Sequence, residues 1–260
     1  MTRSALPSPP IRPLAIVSAM HQELAALLAR GHQADFERQT HAGRDFWVGT
    51  LSGRSVVLVL CGIGKVAAAI TATLLAERFG VGALVFTGVA GGLGADVKVG
   101  DLVLADDLLQ HDMDASPLFP RFEVPLTGRS RFPADAALTQ ALAQACTAAL
   151  ARREPYGPAA AALGVTRPAL HRGLIISGDR FVSAAAECQA LCETLPEALA
   201  VEMEGAALAQ ACHDLGLPFA VLRIISDRAD DSASVDFIRF IDEVAAQASA
   251  AIIEGWLSAG

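Results

Sequence analysis

Glu202, Glu204 and Asp227 stand where a sheet would present them to a ligand. An apolar run, Ala198–Val201, leads into Glu202-Met203-Glu204 at the start of a helical segment, and a second run, Phe219–Ile225, ends in Ser226-Asp227. The pattern reads as strand, helix, strand, with carboxylates at the carboxyl end of both strands. Open α/β sheets bind ligands there, because side chains at strand ends face a crevice rather than the core. Glu204 is suited to accept two hydrogen bonds from a vicinal diol, and Asp227 to exchange a proton with a bound group. A plainer alternative is that Glu202 and Glu204 only complement a helix dipole. Glu23 poses the same choice. It lies in the first turn of an Ala/Leu-rich helix that opens at Met20-His21-Gln22 and ends before Gly31.

Other clusters point to chemistries that the surrounding residues weaken. Gly62-x-Gly64-x-x-Ala67, between strand Val56–Leu60 and helix Val66–Phe79, matches a relaxed dinucleotide fingerprint. The next strand, Ala83–Thr87, does not end in the acid that would hold a ribose, and Thr87–Gly94 follows as a second glycine-rich turn. Gly64-Lys65 is followed by Val66, which excludes a P-loop. His111, Asp112 and Asp114 resemble metal ligands, yet no second His lies at ligand spacing and no H-E-x-x-H occurs, so no metal is expected. Phe181, just beyond strand His171–Ser177, is placed to stack on a planar base or to fill ordinary core.

These groups need a scaffold. A 260-residue chain, 53% hydrophobic and mostly aliphatic, has enough apolar side chain for one large core. A single α/β domain over 13–260 is expected, preceded by a disordered lead-in at 1–12, since four of the first thirteen residues are proline. Pro13–Ala19 reads as a buried strand. Asp45–Leu51 and Ser55–Leu60 form a hairpin through Ser52-Gly53-Arg54, and Val99–Leu109 returns as a strand. Ala115–Arg131 is a proline-punctuated loop whose Leu118, Phe119 and Phe122, if exposed, suggest a lid or a subunit contact. Ala134–Arg153, Ala184–Thr194 and Phe237–Leu257 read as helices, and Tyr156–Arg167 as a linker.

Composition narrows the partners. A net charge of −8 and only 5% aromatic residues disfavour a nucleic-acid surface and leave a small neutral or cationic ligand. The longest charge-free run, Phe79–Ala95, is too short and too glycine-broken for a bilayer helix of ~20 residues. No signal peptide is apparent, and five cysteines without a C-x-x-C pair suit reduced, buried thiols in the cytoplasm.

Several strings in order resemble the 5′-methylthioadenosine/S-adenosylhomocysteine nucleosidases of the nucleoside phosphorylase superfamily. They are Ala19-Met20…Glu23, Gly62-Ile63-Gly64-Lys65-Val66, Thr87-Gly88-x-Ala90-Gly91-Gly92, Val99-Gly100-Asp101, His111-Asp112-x-Asp114, Ser177-Gly178-Asp179-x-Phe181, Val201-Glu202-Met203-Glu204 and Arg223-x-Ile225-Ser226-Asp227. The resemblance implies a three-layer α/β/α sandwich around a mixed, partly closed sheet. It also implies a homodimer with the 115–131 loop near the partner's pocket, hydrolysis of the N-glycosidic bond to adenine, and neither metal nor organic cofactor. By the same resemblance Glu23 would activate water, Asp227 would protonate adenine N7, and Glu204 with Met203 would hold the ribose hydroxyls. Phe181 and the Val182 backbone would receive the base; Met20, Ile63 and Phe237 would line the sugar and 5′ region; Glu202, Val89, Ala90, Gly91 and Ser226 complete the set. The family carries Ser where this chain has Val89, and its segment after Asp114 differs.

The chemistry asks for one acid and one base across the scissile bond, as in sugar hydrolases. A free Asp, with pKa ~3.9, is ionised at neutral pH, so Asp227 must be desolvated or hydrogen-bonded in its neutral form. Arg223 and Arg228 must therefore point away from it. Two other functions fit the residues. A phosphorylase would need cationic groups facing the ribose, which Thr87–Gly92 does not offer, and a silent nucleoside- or dinucleotide-binding protein would need no catalytic acid.

Overall fold

Strands rich in Val, Ile and Leu and buried on both faces belong in the middle of a covered sheet, and they are there in the computed structural model, which describes residues 12–31, 35–152, 156–228 and 237–259 (Pro158, Phe237 and Ile238 by backbone alone). The elements run β1 (Leu14–Ser18), α1 (His21–Arg30), β2 (Phe36–His41), β3 (Arg44–Leu51), β4 (Arg54–Leu60), α2 (Lys65–Glu77), β5 (Ala83–Gly92), β6 (Leu102–Gln110) and β7 (Arg131–Pro133). Then come α3 (Ala136–Arg152), α4 (Gly157–Ala162), β8 (Leu170–Ser177), α5 (Ala185–Thr194), β9 (Ala198–Glu202), α6 (Gly205–Asp214) and β10 (Phe219–Asp227). The last helix is α7 (Phe237–Phe240), a π-helical turn (Ile241–Ala245) and α8 (Ala246–Ala259).

The sheet order is β10-β6-β8-β9-β5-β1-β4-β3-β2, and β10 also pairs with β5. Strands β5, β10, β6, β8 and β9 therefore close a ring, from which β1, β4, β3 and β2 extend as an open wing. One core packs α1, α3 and α8 on one face; the other packs α2 and α6 on the opposite face. This is the expected three-layer sandwich with a mixed, partly closed sheet.

Several expectations were too simple. Thr87–Gly94 does not turn: β5 runs on to Gly92, with its end paired to Val201 and Ala200 of β9. Its glycines answer close approach. A Cβ on Gly88 would lie 3.0 Å from Ala19 Cβ and 3.1 Å from Arg223 Nη1. The hairpin is a three-stranded meander, because β2 pairs with β3. The linker at 156–167 holds α4, and β7 closes the irregular loop. Helix α6 begins at Gly205 rather than at Glu202, which ends β9. In the 115–131 loop Leu118 and Leu126 are exposed, whereas Phe119 and Phe122 are half-buried. Of the thiols, Cys61, Cys146 and Cys212 are buried and pushed up to about 12 by desolvation, while Cys188 and Cys192 are only half-buried. The lead-in through Ile11 lies outside the described residues. Among the described residues no helix is long and apolar enough to cross a membrane.

Candidate active site

The carboxyl ends of β5, β9 and β10 meet around one cleft of ≈ 760 Å³, its open mouth included. Met20, Ile63, Val89, Ala90, Gly91, Phe181, Val182, Glu202, Met203, Glu204, Ser226 and Asp227 line it, so twelve sequence-predicted residues come together. Ala19, Arg180 and Val201 line it too and were not foreseen as site residues. Phe237 begins α7, and its side chain lies outside the described residues. Glu23 is not among the lining residues. It is fully buried beneath Met20, whose N–H donates to Glu23 Oε2 at 3.1 Å, and the hydroxyl of Ser249 on α8 donates to Oε1 at 3.2 Å.

A register shift aims Asp227. Ile224 and Ile225 pair in step with Val89 and Ala90, but Asp227 pairs with Gly91, so β10 bulges at Ser226. Bulges re-aim side chains at strand ends. The Ser226 hydroxyl donates to Asp227 Oδ2 at 2.8 Å. Both nearby arginines look elsewhere. Arg223 Nη2 binds Glu202 Oε2 at 2.6 Å, and Arg228 Nη1 donates to the carbonyls of Gly94 and Val97.

Glu202 and Glu204, two residues apart, divide the two readings between them. The Glu202 carboxylate takes the Arg223 guanidinium, the Ser177 hydroxyl and the amides of Glu204 and Gly205. It serves the first amides of α6, the plainer role, and no acceptor capacity is left over. Glu204 is the residue capping α6, yet its side chain reaches across the cleft to accept the Gly64 N–H at 2.8 Å. Burial, then the neighbouring Glu202 charge, push its carboxyl up to about 7. Burial likewise raises Glu23; Arg223, the Met20 amide and Ser249 oppose it without cancelling it.

The glycine loop has the dihedrals a dinucleotide loop would need, with φ +82° at Gly62 and +93° at Gly64. Its amides are already used by carboxylates of the chain, however. Gly64 N donates to Glu204 and Lys65 N to Asp179 Oδ1 at 2.8 Å. Nor does the His111 cluster gather ligands: Asp112 pairs with Lys65 Nζ at 2.6 Å and accepts the Asp179 amide. Among the described lining residues the one permanent cation is Arg180, whose guanidinium is 3.4 Å from Glu187. Two supporting roles escaped the sequence reading, which took Arg223 only as a guanidinium that must point away from Asp227 and passed over Ser249, although each carries a signal. Arg223 interrupts the apolar strand Phe219–Ile225, and Ser249 interrupts the apolar face of the last helix.

Known proteins resemble the chain over nearly its whole length. The family model described as "Phosphorylase superfamily" matches residues 13–258. The chain is 37% identical over 228 residues to the 5′-methylthioadenosine/S-adenosylhomocysteine nucleosidase of Shewanella baltica (strain OS155), covering 88% of this chain and 89% of that one. The crystal structure of the nucleosidase from Neisseria meningitidis in complex with methylthio-immucillin-A is similar with a TM-score of 0.82 and 33% identity, over 96% of this chain and 100% of that one. The native structure of futalosine hydrolase from Helicobacter pylori is similar with a TM-score of 0.81 and 31% identity, over 96% and 99%.

Proposed function

The chain belongs to the 5′-methylthioadenosine/S-adenosylhomocysteine nucleosidase family of the phosphorylase superfamily and is an N-glycosyl hydrolase releasing adenine, and we propose that Glu23, Glu204 and Asp227 carry the reaction. The observation that supports this most is the convergence of Met203, Glu204, Ser226 and Asp227 on one cleft whose wall, at Met20, rests on a buried Glu23. The bond from C1′ to the purine nitrogen breaks as Asp227 delivers a proton to N7. A water oxygen bonds to C1′, and Glu23 takes its proton. A raised carboxyl is the better base near neutral pH, because general-base efficiency grows with basicity while the group stays ionised. Glu204 exchanges the Gly64 amide for the ribose diol, Met203 flanks it, and Phe181 stacks on the base while Val182 meets its edge. Val89, Ala90, Gly91, Met20, Ile63 and Phe237 enclose the sugar and the 5′ group. Glu202 acts at one remove, by fixing Arg223 and the start of α6.

Two further assignments rest on the same reading. Ile63, Val66 and Phe181 expose apolar surface near the cleft mouth, which suits a homodimer whose 115–131 loop completes the partner's pocket; sedimentation should then give twice the chain mass. The substrate is a small cytoplasmic nucleoside, and the working compartment is the cytoplasm. The decisive measurement is adenine release from methylthioadenosine, with the sugar product identified. Free 5-methylthioribose is expected, and 5-methylthioribose 1-phosphate would make the chain a phosphorylase. Glu23→Gln and Asp227→Asn should each lower kcat by about 10²–10⁴-fold. Full turnover in both variants would remove these roles.

A further inference from the structure

Ser18 ends β1 at the carboxyl edge of the sheet, and the next two residues, Ala19 and Met20, line the cleft. Its side chain is fully buried, and its hydroxyl has no hydrogen-bond partner among the described residues. Burying an alcohol without a partner costs free energy that an alanine in the same place would not. A hydroxyl kept there is open to a molecule that enters.

The strand decides where that hydroxyl points. Ala15 and Val17 belong to the core under α2 and α6, and Ile16 to the core under α1, α3 and α8. Side chains alternate along a strand, so Ser18 points to the same side as Ile16. Glu23 stands on that side, in the first turn of α1, with the Ser249 hydroxyl of α8 on its Oε1. The amides of Ala19 and Met20 both hold its carboxylate. One peptide unit, ~3.8 Å from Cα to Cα, separates Ser18 from Ala19, and a water with two hydrogen bonds of about 2.8 Å spans such a gap. Across the sheet Ser18 is paired with Thr87, and Val89, two residues further along the same face of β5, lines the cleft. The unpartnered hydroxyl and the buried carboxylate thus lie behind one short wall of the cleft, made by Ala19, Met20 and Val89.

On the reading that Glu23 is the base, we propose that Ser18 is a positioning residue for the hydrolytic water, which its hydroxyl and the Glu23 carboxylate hold between them. Each of the two oxygens accepts one of the water's protons in a hydrogen bond, which turns the lone pairs of the water toward C1′. When the water oxygen bonds to C1′ and the bond to the purine nitrogen breaks, the first proton passes to Glu23. The second stays on the new sugar hydroxyl, so Ser18 neither gains nor loses a proton. Two anchors orient the attacking atom better than one, and orientation is where an enzyme gains much of its rate.

The experiment measures kcat and KM for methylthioadenosine on the full chain. Ser18→Ala should lower kcat by about 3–10-fold, the worth of one neutral hydrogen bond. KM should stay within about twofold, because the interaction is made to the water and not to the bound nucleoside. Ser18→Cys keeps the volume but offers only a weak S–H, so it should lose nearly as much. Ser18→Thr restores the hydroxyl and should recover much of the loss. A packing role alone would reverse that order, since Cys matches Ser in shape and Thr adds a methyl group to a filled core. In Glu23→Gln, Ser18→Ala should cost less than about twofold, because the two residues act on one water and their effects do not add. An equal loss in both backgrounds, or wild-type kcat in Ser18→Ala, would overturn the proposal while leaving Glu23 as the base. Full turnover in Glu23→Gln would instead remove the reading on which it rests.

Discussion

The floor of the cleft and its rim are built on opposite principles. Beneath the cleft, Arg223 is fully buried, stacks 4.0 Å from the Phe86 ring centroid, donates to the carbonyls of Phe86 and Leu222, and pairs with a Glu202 that has no spare acceptor. At the rim, Glu204 takes only backbone hydrogen bonds, from Gly64 and Met203, and Ile63 and Phe181 stand largely exposed. Buried charge survives in the floor because both terminal nitrogens of Arg223 are paired, Nε alone lacking a partner; the rim is left open because a ligand has to complete it. If that contrast is correct, removing one floor partner should damage the fold far more than any change at the rim. Arg223→Met leaves Glu202 as an uncompensated buried carboxylate and should cost about 3–5 kcal/mol. Adding Glu202→Gln should restore part of it, since the second change removes the orphaned charge. Urea unfolding at pH 7 measures both. A loss under about 1 kcal/mol for Arg223→Met would place the floor and the rim in the same energetic class.

Glu204 sharpens the contrast through pH. Its carboxyl is pushed up to about 7 by burial and by Glu202, and a diol needs the ionised form. KM for a nucleoside should therefore rise as pH falls below about 7, approaching tenfold per unit, and should flatten above it. The stability effect has the opposite sign. A carboxyl raised above its unfolded value contributes stability that is present in full near pH 4 and is lost as pH rises through about 7. Glu204→Gln should accordingly raise Tm at pH 8 more than at pH 5 and abolish the pH dependence of KM. A KM that stays flat from pH 5.5 to 8 in the unmodified chain would mean that the proton on Glu204 is irrelevant to binding.

The same contrast explains how far the sequence could be read. The central strands were legible because their Val, Ile and Leu are buried on both faces. Phe36–His41 was not, because an edge strand buries only Phe36 and otherwise alternates among polar residues. Thr87–Gly94 read as a turn because glycine usually signals one. At Gly88 glycine is required because the Arg223 guanidinium and Ala19 crowd the strand, and neither neighbour is close in sequence. Rim acids announce themselves, since a Glu or Asp at the end of an apolar run has few reasons to be there. Floor partners do not. Ser249 lies 226 positions from Glu23 and Arg223 lies 21 from Glu202, so each reads locally as a polar residue out of place until the fold supplies its partner.

The weakest link in the rim provides the finest test. Lys65 Nζ meets Asp112 at 2.6 Å, Asp112 accepts the Asp179 amide, and Asp179 accepts the Lys65 amide, so the turn before α2 is tied to the ends of β6 and β8. Partial burial alone would raise Asp112; the Lys65 ammonium and the Asp179 amide more than offset it and hold the carboxyl below its ordinary value. A depressed carboxyl contributes stability above its unfolded pKa and loses it as pH falls. Both side chains are part-exposed, so the pair should be worth only ~0–1 kcal/mol. Lys65→Met should thus lower stability slightly at pH 7 and even less near pH 3. It should also raise KM by about twofold, because the Gly64 amide that faces Glu204 sits on the loosened turn. A loss above about 2 kcal/mol, well beyond an exposed pair, would show that this turn is anchored as firmly as Arg223, and the division between a paired floor and a poised rim would have to be redrawn around α2.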